Sequence, residues 1–422
     1  MLASDLLLLA QIFAIPLMKP AVSGQVIAAD LLFVLLVVTL GVEALAGLRR
    51  VRWLPAYGVL FAYVACLVPS LLATSDLRVS LFKLATEFYL IGLAAVPAFM
   101  IDNEASFRRA ILAWLATTAF VCLVGILGLL SYVTGLGTAL LNYSSFGFGS
   151  LPPGDYPRLG LTFLNANMAC NYLTVSFGLT FLAGKLGYVN RAACWLLIGG
   201  IAVASLSTVS PGLGGIALLA AIFTWHNRRG SSPAIAKASI WLGAAVAGMF
   251  VAALALTPFA HSTATFVVHL PGGLTVYPAP RLLIWIAALK QFLAHPLVGI
   301  GIGIDPVHVG FASPSGYEVL TDAHNLFLSI ATQCGLVGLI GLAAIISFVA
   351  ARTRPARGSS GPVCFILGAT FLDVFVYQGL GGSFEDTRHI WVLLGLLIAA
   401  AAQIHFSRAD GNSRKAAAPL SC

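Results

Sequence analysis

The chain has 422 residues, 59% of them hydrophobic and 9% charged, with a formal net charge of +8 and a mean hydropathy of +0.96. Soluble domains carry about 25% charged residues, so a soluble globule is excluded and an all-α polytopic membrane protein is expected. The apolar runs show no period-two alternation, which argues against an outer-membrane barrel.

Apolar runs of about 18–25 residues can cross roughly 30 Å of hydrocarbon as helices. Twelve candidate spans follow in order: 2–18, 25–47, 54–73, 80–101, 110–133, 161–183, 192–208, 211–225, 240–258, 324–350, 362–380 and 390–405. The first is expected to be a retained helix and not a secretory signal, because Asp5 precedes the run and no basic residue does. The whole chain, 1–422, reads as a single transmembrane domain. Residues 258–323 form one large loop between spans nine and ten, and 406–422 form a tail. No internal repeat is evident, which gives no support to an inverted-repeat transporter. The seven cysteines have no CxxC or disulfide spacing, and six lie in apolar segments as candidate core residues.

The basic residues orient the chain. Arg49, Arg50, Arg52, Arg108, Arg109, Lys185, Arg191 and others fall on alternate connections or in the tail. Short loops rich in Lys and Arg stay in the cytoplasm, so both termini are expected inside. The net charge then reports membrane topology, and nucleic acid is not an expected partner. Seven basic residues are left at or near the opposite face: Lys19, Arg78, Lys83, Arg158, Arg281, Lys290 and Arg388. The insertion rule depletes that face of positive charge, so each invites a reason.

Taken in order, Lys83 lies in the fourth span with Glu87 at i+4, where an ion pair is the plain reading. Arg158 precedes Leu159-Gly160-Leu161-Thr162-Phe163-Leu164-Asn165-Ala166-Asn167 at the outer end of span six. The loop 258–323 is mixed and polar. It contains Arg281-Leu-Leu-Ile-Trp285, whose apolar spacing (Leu282, Leu283, Ile286, Leu289, Phe292, Leu293) predicts short amphipathic helices in the outer interface. A thirteenth span at 282–304 is disfavoured by Lys290, His295 and Pro296, and it would turn Arg352, Arg354 and Arg357 outward. The guanidinium of Arg281 suits a phosphate bidentately, and snorkelling to headgroups is the alternative. Gly299-Ile-Gly301-Ile-Gly303 could approach a phosphate but reads more readily as a flexible turn.

His324 stands where the loop re-enters the membrane, with Asp322 before it and Asn325 after it. A neutral imidazole there can accept a proton from a hydroxyl, or it can simply anchor the helix end. Gly335 and Gly338 share a spacing typical of helix packing. Asp373 in span eleven has no evident role. Arg388 follows Glu385 and Asp386, either of which could pair with it. There is no DxD, HExxH or His/Cys cluster and no Walker A run, so no metal, cofactor or ATP hydrolysis is expected.

His324-Asn325, nine residues, then Gly335-x-x-Gly338 resembles the motif of the O-antigen ligase family. Arg281-x-x-x-Trp285, His295-Pro296-Leu-Val-Gly299-x-Gly301-x-Gly303, Arg158…Thr162-Phe163…Asn167 and Arg388-x-x-Trp391 are similar to it as well, over roughly residues 60–400. There are departures. Leu339 follows Gly338 where ligases tend to carry Gly, Thr or Tyr, and Ser210-Pro211 stands where many relatives have Ser-Arg. The resemblance implies a glycosyltransferase of GT-C-like fold in the bacterial inner membrane, with its site facing the periplasm. It would transfer a polysaccharide from undecaprenyl diphosphate to a sugar hydroxyl of lipid A-core, inverting and without a metal. On that reading His324 is the general base, Arg281 and Arg158 hold the diphosphate, Arg388 and Lys83 are further candidates for it, and Asp322 or Asn325 orients the histidine or the acceptor. An O-antigen polymerase using the same donor is the alternative, and a transporter of lipid-linked glycan or a small anion is the second.

Overall fold

The computed structural model describes residues 2–19, 26–50, 52–135, 158–226, 233–261, 266–271, 275–276, 278, 280–313, 316–353, 360–381 and 387–402. Within them the chain is mostly helical, and several helices start where a polar side chain takes free first-turn N–H groups. The helices are α1 (Ala3–Ala14), α2 (Ala28–Leu45), α3 (Ala56–Leu67, continued by a 3₁₀ turn Val68–Leu72), α4 (Leu77–Met100), α5 (Glu104–Thr134), α6 (Ala166–Lys185), α7 (Arg191–Ser207), α8 (Leu213–His226), α9 (Pro233–His261), α10 (Arg281–Ala294), α11 (Leu326–Thr353), α12 (Gly361–Gly381) and α13 (Arg388–Ala402). Asp76, Asn103, Asn165 and Asn190 cap α4 to α7, each accepting a backbone N–H from the first turn.

All twelve apolar segments of the sequence coincide with a helix, and the chain is an all-α membrane protein. Five helical segments are long and apolar enough to cross a bilayer: Ala28–Leu45, Leu77–Met100, Glu104–Thr134, Lys237–His261 and Leu326–Thr353. Several others are shorter. At 1.5 Å per residue, a 12-residue helix such as α1 reaches only about 18 Å. α10, with 14 residues, is also too short to cross and packs on α9 and α11.

Helix α13 is at the centre. Every residue from Arg388 to Ala400 is buried, as an all-round apolar helix requires. It packs on α4, α6 and α12. Asn171 of α6 links the three central helices: its Nδ2 donates to the Val374 carbonyl of α12 at 3.1 Å, and its Oδ1 meets His389 Nε2 at 2.7 Å. Hydrogen bonds of this kind satisfy polar groups that lipid cannot. At the periphery, Leu45, Trp53, Trp241 and Phe259 are exposed, which is the expected face toward lipid. The six described cysteines are free, and five of them are buried.

The loop between α9 and α11 differs from expectation in three ways. α9 runs through Pro258 to His261, so the polar break starts a little later than the composition indicates. One amphipathic helix is described, not several; it buries Ile284 and Ala288 and exposes Ile286, Leu289 and Leu293. The loop also contains two antiparallel pairs, β1 (Val268–His269) with β2 (Thr275–Val276) and β3 (Val309–Ser313) with β4 (Gly316–Leu320). Strands of two to five residues leave too little alternation to detect in sequence.

Candidate functional site

The site is built around the start of α11 and a break within it. Asn325 is buried and caps the helix. Its Oδ1 accepts the N–H of Leu328 at 3.1 Å, and its carbonyl accepts that of Ser329 at 2.8 Å. Asparagine is a favoured residue at this position. His324, just before the cap, has φ +45°, a left-handed conformation uncommon outside glycine. Asp322 holds it there, its Oδ1 accepting the His324 N–H at 3.0 Å while Oδ2 stands 3.7 Å from Nδ1. The imidazole is 41% exposed, so it is both fixed and accessible.

Three turns into α11 the helix breaks at Gly335, with φ 64° and ψ −159°. Gly335 and Gly338 therefore do not act as a pair of small residues on one regular helix face. The freed backbone groups are taken up by the segment Pro296–Gly301. The carbonyls of Thr332 and Gln333 accept the N–H groups of Ile300 (2.9 Å) and Gly301 (3.0 Å), while Leu336 and Val337 donate to the carbonyls of Pro296 (2.8 Å) and Leu297 (3.2 Å). A Cβ on Gly299 would lie 2.3 Å from the Gln333 carbonyl carbon. The glycine run is thus a fixed strap that repairs a broken helix, and its backbone N–H groups are occupied rather than offered to a phosphate. Replacing Gly335 by Ala should destabilise the protein, because its conformation costs a side chain about 1–3 kcal/mol and the new Cβ would meet the Leu297 carbonyl. A drop of several degrees in the unfolding midpoint in detergent is expected; an unchanged midpoint would show that the break tolerates a side chain.

The strap continues to α4, where Gly303 lies against Lys83 and its N–H donates to Gln333 Oε1 at 3.1 Å. Beside it is a cavity of about 620 Å³ whose polar lining includes Asp30, Lys83, Glu87, Asp322, Gln333 and Arg388. Two expected cations, Lys83 and Arg388, therefore share one cavity, but both are paired. Lys83 Nζ is 3.5 Å from Glu87, which also accepts the Tyr63 hydroxyl at 3.0 Å. Arg388 grips Asp30 with Nε at 2.6 Å and Nη2 at 2.9 Å, and Tyr89 donates to the same carboxylate. The expected partners of Arg388, Glu385 and Asp386, lie outside the described residues. Asp30, which no local pattern singles out, fills that role.

Arg158 and Arg281 form a second group. Arg158 donates from Nε to the Thr208 carbonyl at 3.1 Å and from Nη2 to Asn167 Oδ1 at 2.6 Å. Asn167 also accepts the Ser210 hydroxyl at 3.0 Å, and Ser210 Oγ is 2.7 Å from the Tyr377 hydroxyl. Arg281 donates to the Leu380 carbonyl at 3.5 Å and stacks over Phe250, its Cζ 5.5 Å from the ring centroid. Burial holds the Arg281 guanidinium below its ordinary pKa; Tyr377 opposes this and the nearby Arg158 charge adds to it. Among the described residues neither arginine pairs with a carboxylate. Ser210 is joined to Arg158 through Asn167.

Leu326, Ser329, Ile330 and Gln333 of α11 line the cavity, while Phe327 packs on Gly379 of α12, next to the Leu380 carbonyl that Arg281 reaches. The first turns of α11 thus divide the two groups, with His324 and Asn325 at their head. Asp373 lies one turn from Tyr377, buried against Gly215, and its Oδ2 makes no hydrogen bond among the described residues. Tyr377, Ser210 and Gln333 were not anticipated as site residues; a hydroxyl or amide at such a depth is a weak signal without its neighbours. No group of His, Cys, Asp and Glu that could hold a metal occurs among the described residues.

Residues 192–343, from α7 into α11, match the sequence family described as O-antigen ligase. The match includes Ser210, Arg281, the glycine strap, His324 and the break at Gly335, and excludes Lys83, Arg158 and Arg388. No curated protein matches the chain.

Proposed function

We propose that this chain, with its O-antigen ligase family domain at residues 192–343, joins a polysaccharide carried on undecaprenyl diphosphate to a sugar hydroxyl of lipid A-core. The acceptor hydroxyl gives its proton to His324. Its oxygen then attacks the anomeric carbon from the face opposite the diphosphate, and the carbon–oxygen bond to the diphosphate breaks with inversion. Arg281 and Arg158 stabilise the negative charge that develops on the leaving group. No nucleotide is needed, because the diphosphate bond supplies the driving force.

The observation that carries this reading is the charge balance around α11. Two arginines that pair with no carboxylate among the described residues stand together on one side, suited to a diphosphate. On the other side the cations are already neutralised, and the remaining carboxylate and amide acceptors of Asp305, Asp322 and Gln333 suit sugar hydroxyls. Asp322 orients the imidazole.

The site belongs on the periplasmic face. Arg49, Arg50, Arg52, Arg108 and Arg109 lie at the end of α2 and the start of α5, whereas the candidate site gathers at the starts of α2, α4, α11 and α13. Basic connections stay in the cytoplasm, so His324 faces away from it and both termini are inside, in a bacterial inner membrane protein of twelve spans and GT-C-like fold.

Deletion of the gene followed by lipopolysaccharide electrophoresis tests the reading. The expected result is bare lipid A-core with long polymer retained on undecaprenyl diphosphate. Core bearing a single repeat unit would instead assign a polymerase, whose acceptor is a second lipid-linked glycan. An unchanged pattern would refute both activities and favour transport or another glycan.

A further inference from the structure

At the opposite end of the bundle from His324 lies a pocket of about 420 Å³ between the start of α1, the end of α2, the end of α4 and the start of α5. Its charged lining consists of Arg49, Arg50, Arg52, Arg109, Asp5 and Asp102, four cations against two carboxylates. The carboxylates are already engaged. Asp5 binds Arg49, whose Nε also lies 3.5 Å from Glu43 behind the pocket; Glu43 in turn accepts the backbone N–H and hydroxyl of Ser4. Asp102 lies 3.4 Å from Arg52, a half-exposed and therefore weak pair. Arg50 and Arg109 make no ion pair among the described residues and face the same concavity.

A topology signal needs basic residues on a connection but does not need them to converge. Here arginines from two separate connections meet in one hollow, next to the N-terminal end of the 31-residue helix α5, whose dipole adds positive potential. The rim on the α2 side is apolar and exposed: Leu45, Leu48 and Trp53 project outward, as residues at a bilayer interface do. A ligand here meets cationic donors at one end and lipid-facing surface at the other.

We propose that this pocket is a binding site for a phosphate group, namely the headgroup phosphate of an anionic phospholipid. Arg50 and Arg109 are its main ligands, and Arg49 and Arg52 form its walls. Free inorganic phosphate has the same chemistry and lacks only the acyl chains that would lie along Leu45 and Leu48. The proposal is independent of the reaction assigned to His324.

The test uses the full chain in a neutral detergent, with the unfolding midpoint followed as phosphatidylglycerol, phosphatidylcholine or inorganic phosphate is added. Phosphatidylglycerol should raise the midpoint saturably, as a ligand selective for the folded state does, and phosphatidylcholine should not. In the variant R50Q/R109Q the half-saturating concentration should rise roughly 30-fold, the equivalent of two arginines at about 1 kcal/mol each. The variant R191Q, which removes an exposed arginine outside the pocket, should match the parent. If the double variant does not accumulate, R50Q alone should show a rise of roughly fivefold. Saturation by inorganic phosphate, lost in the same variant, assigns the pocket to the free ion. Equal responses to the two lipids, or equal weakening in R191Q, would overturn the site.

Discussion

His324→Asn should leave the protein at normal levels in the membrane and reduce glycan transfer by about 10²–10⁴, the usual contribution of a positioned general base. Asparagine is chosen for a structural reason. His324 has φ +45°, and asparagine is among the few residues that tolerate the left-handed region. The substitution therefore keeps the backbone turn and the N–H donated to Asp322 but removes the proton acceptor. His324→Gly makes the same point by another route: it relieves the backbone strain, so it should be at least as stable as the parent and equally inactive. Transfer should be measured in proteoliposomes with lipid-linked glycan and lipid A-core. If His324→Asn transfers at the parent rate, the imidazole anchors the helix and the base lies elsewhere.

Asp322 bears on the same question. It accepts the His324 N–H and stands beside the ring, which suits it to position the histidine, and it also lines the cavity proposed for sugar hydroxyls. Asn325 is different. Its side-chain oxygen is taken by the first turn of α11, and its contribution to His324 is to fix where the helix starts.

What could be read from the sequence follows the range of the interactions. Helix positions were legible because apolar runs of membrane length are a local property, and the isolated cations stood out because the insertion rule makes a basic residue on that face anomalous. Pairing was not legible. Arg388 and Asp30 are 358 residues apart, and Ser210 and Tyr377 are 167 apart; no local spacing connects them. The plain reading of Lys83 with Glu87 at i+4 matches the ion pair in the structure, because that contact is set by helix geometry alone. The glycine strap shows the limit most clearly. Its composition announces a turn, but its role depends on a helix break 34 residues later, which is itself visible only as one more glycine in an apolar run. The asparagine after His324 carries an ordinary capping signal, so part of what resembles a chemical motif is helix-start geometry.

Loss of both Arg158 and Arg281 should be the second large effect. Arg158→Ala or Arg281→Ala removes one cation from a group in which, among the described residues, no carboxylate is left behind unpaired, so the fold should tolerate either. The lost interaction is with the donor. Hydrogen bonds to charged groups contribute about 1.5–3 kcal/mol each, so each single variant should lower kcat/KM for the lipid-linked donor by roughly 10- to 150-fold, and the double variant by roughly 10³-fold or more. The two should not be additive, because Arg281 and Arg158 are close enough to affect one another and neighbouring sites couple. Arg281→Lys is the sharper probe. A lysine keeps the charge but loses the planar fork, so it should recover part of the activity if the ligand is a diphosphate and little if Arg281 serves mainly to stack on Phe250. Arg388→Ala provides the contrast. It removes both Arg388 hydrogen bonds to the partly buried Asp30 carboxylate and leaves it, among the described residues, only the neutral donors Tyr89 and the Ile27 N–H, so its effect should be seen first as lower stability and only then as lower activity. If instead Arg388→Ala is stable and as inactive as Arg281→Ala, the diphosphate lies in the cavity lined by Lys83 and Arg388, and the division of labour across α11 is reversed.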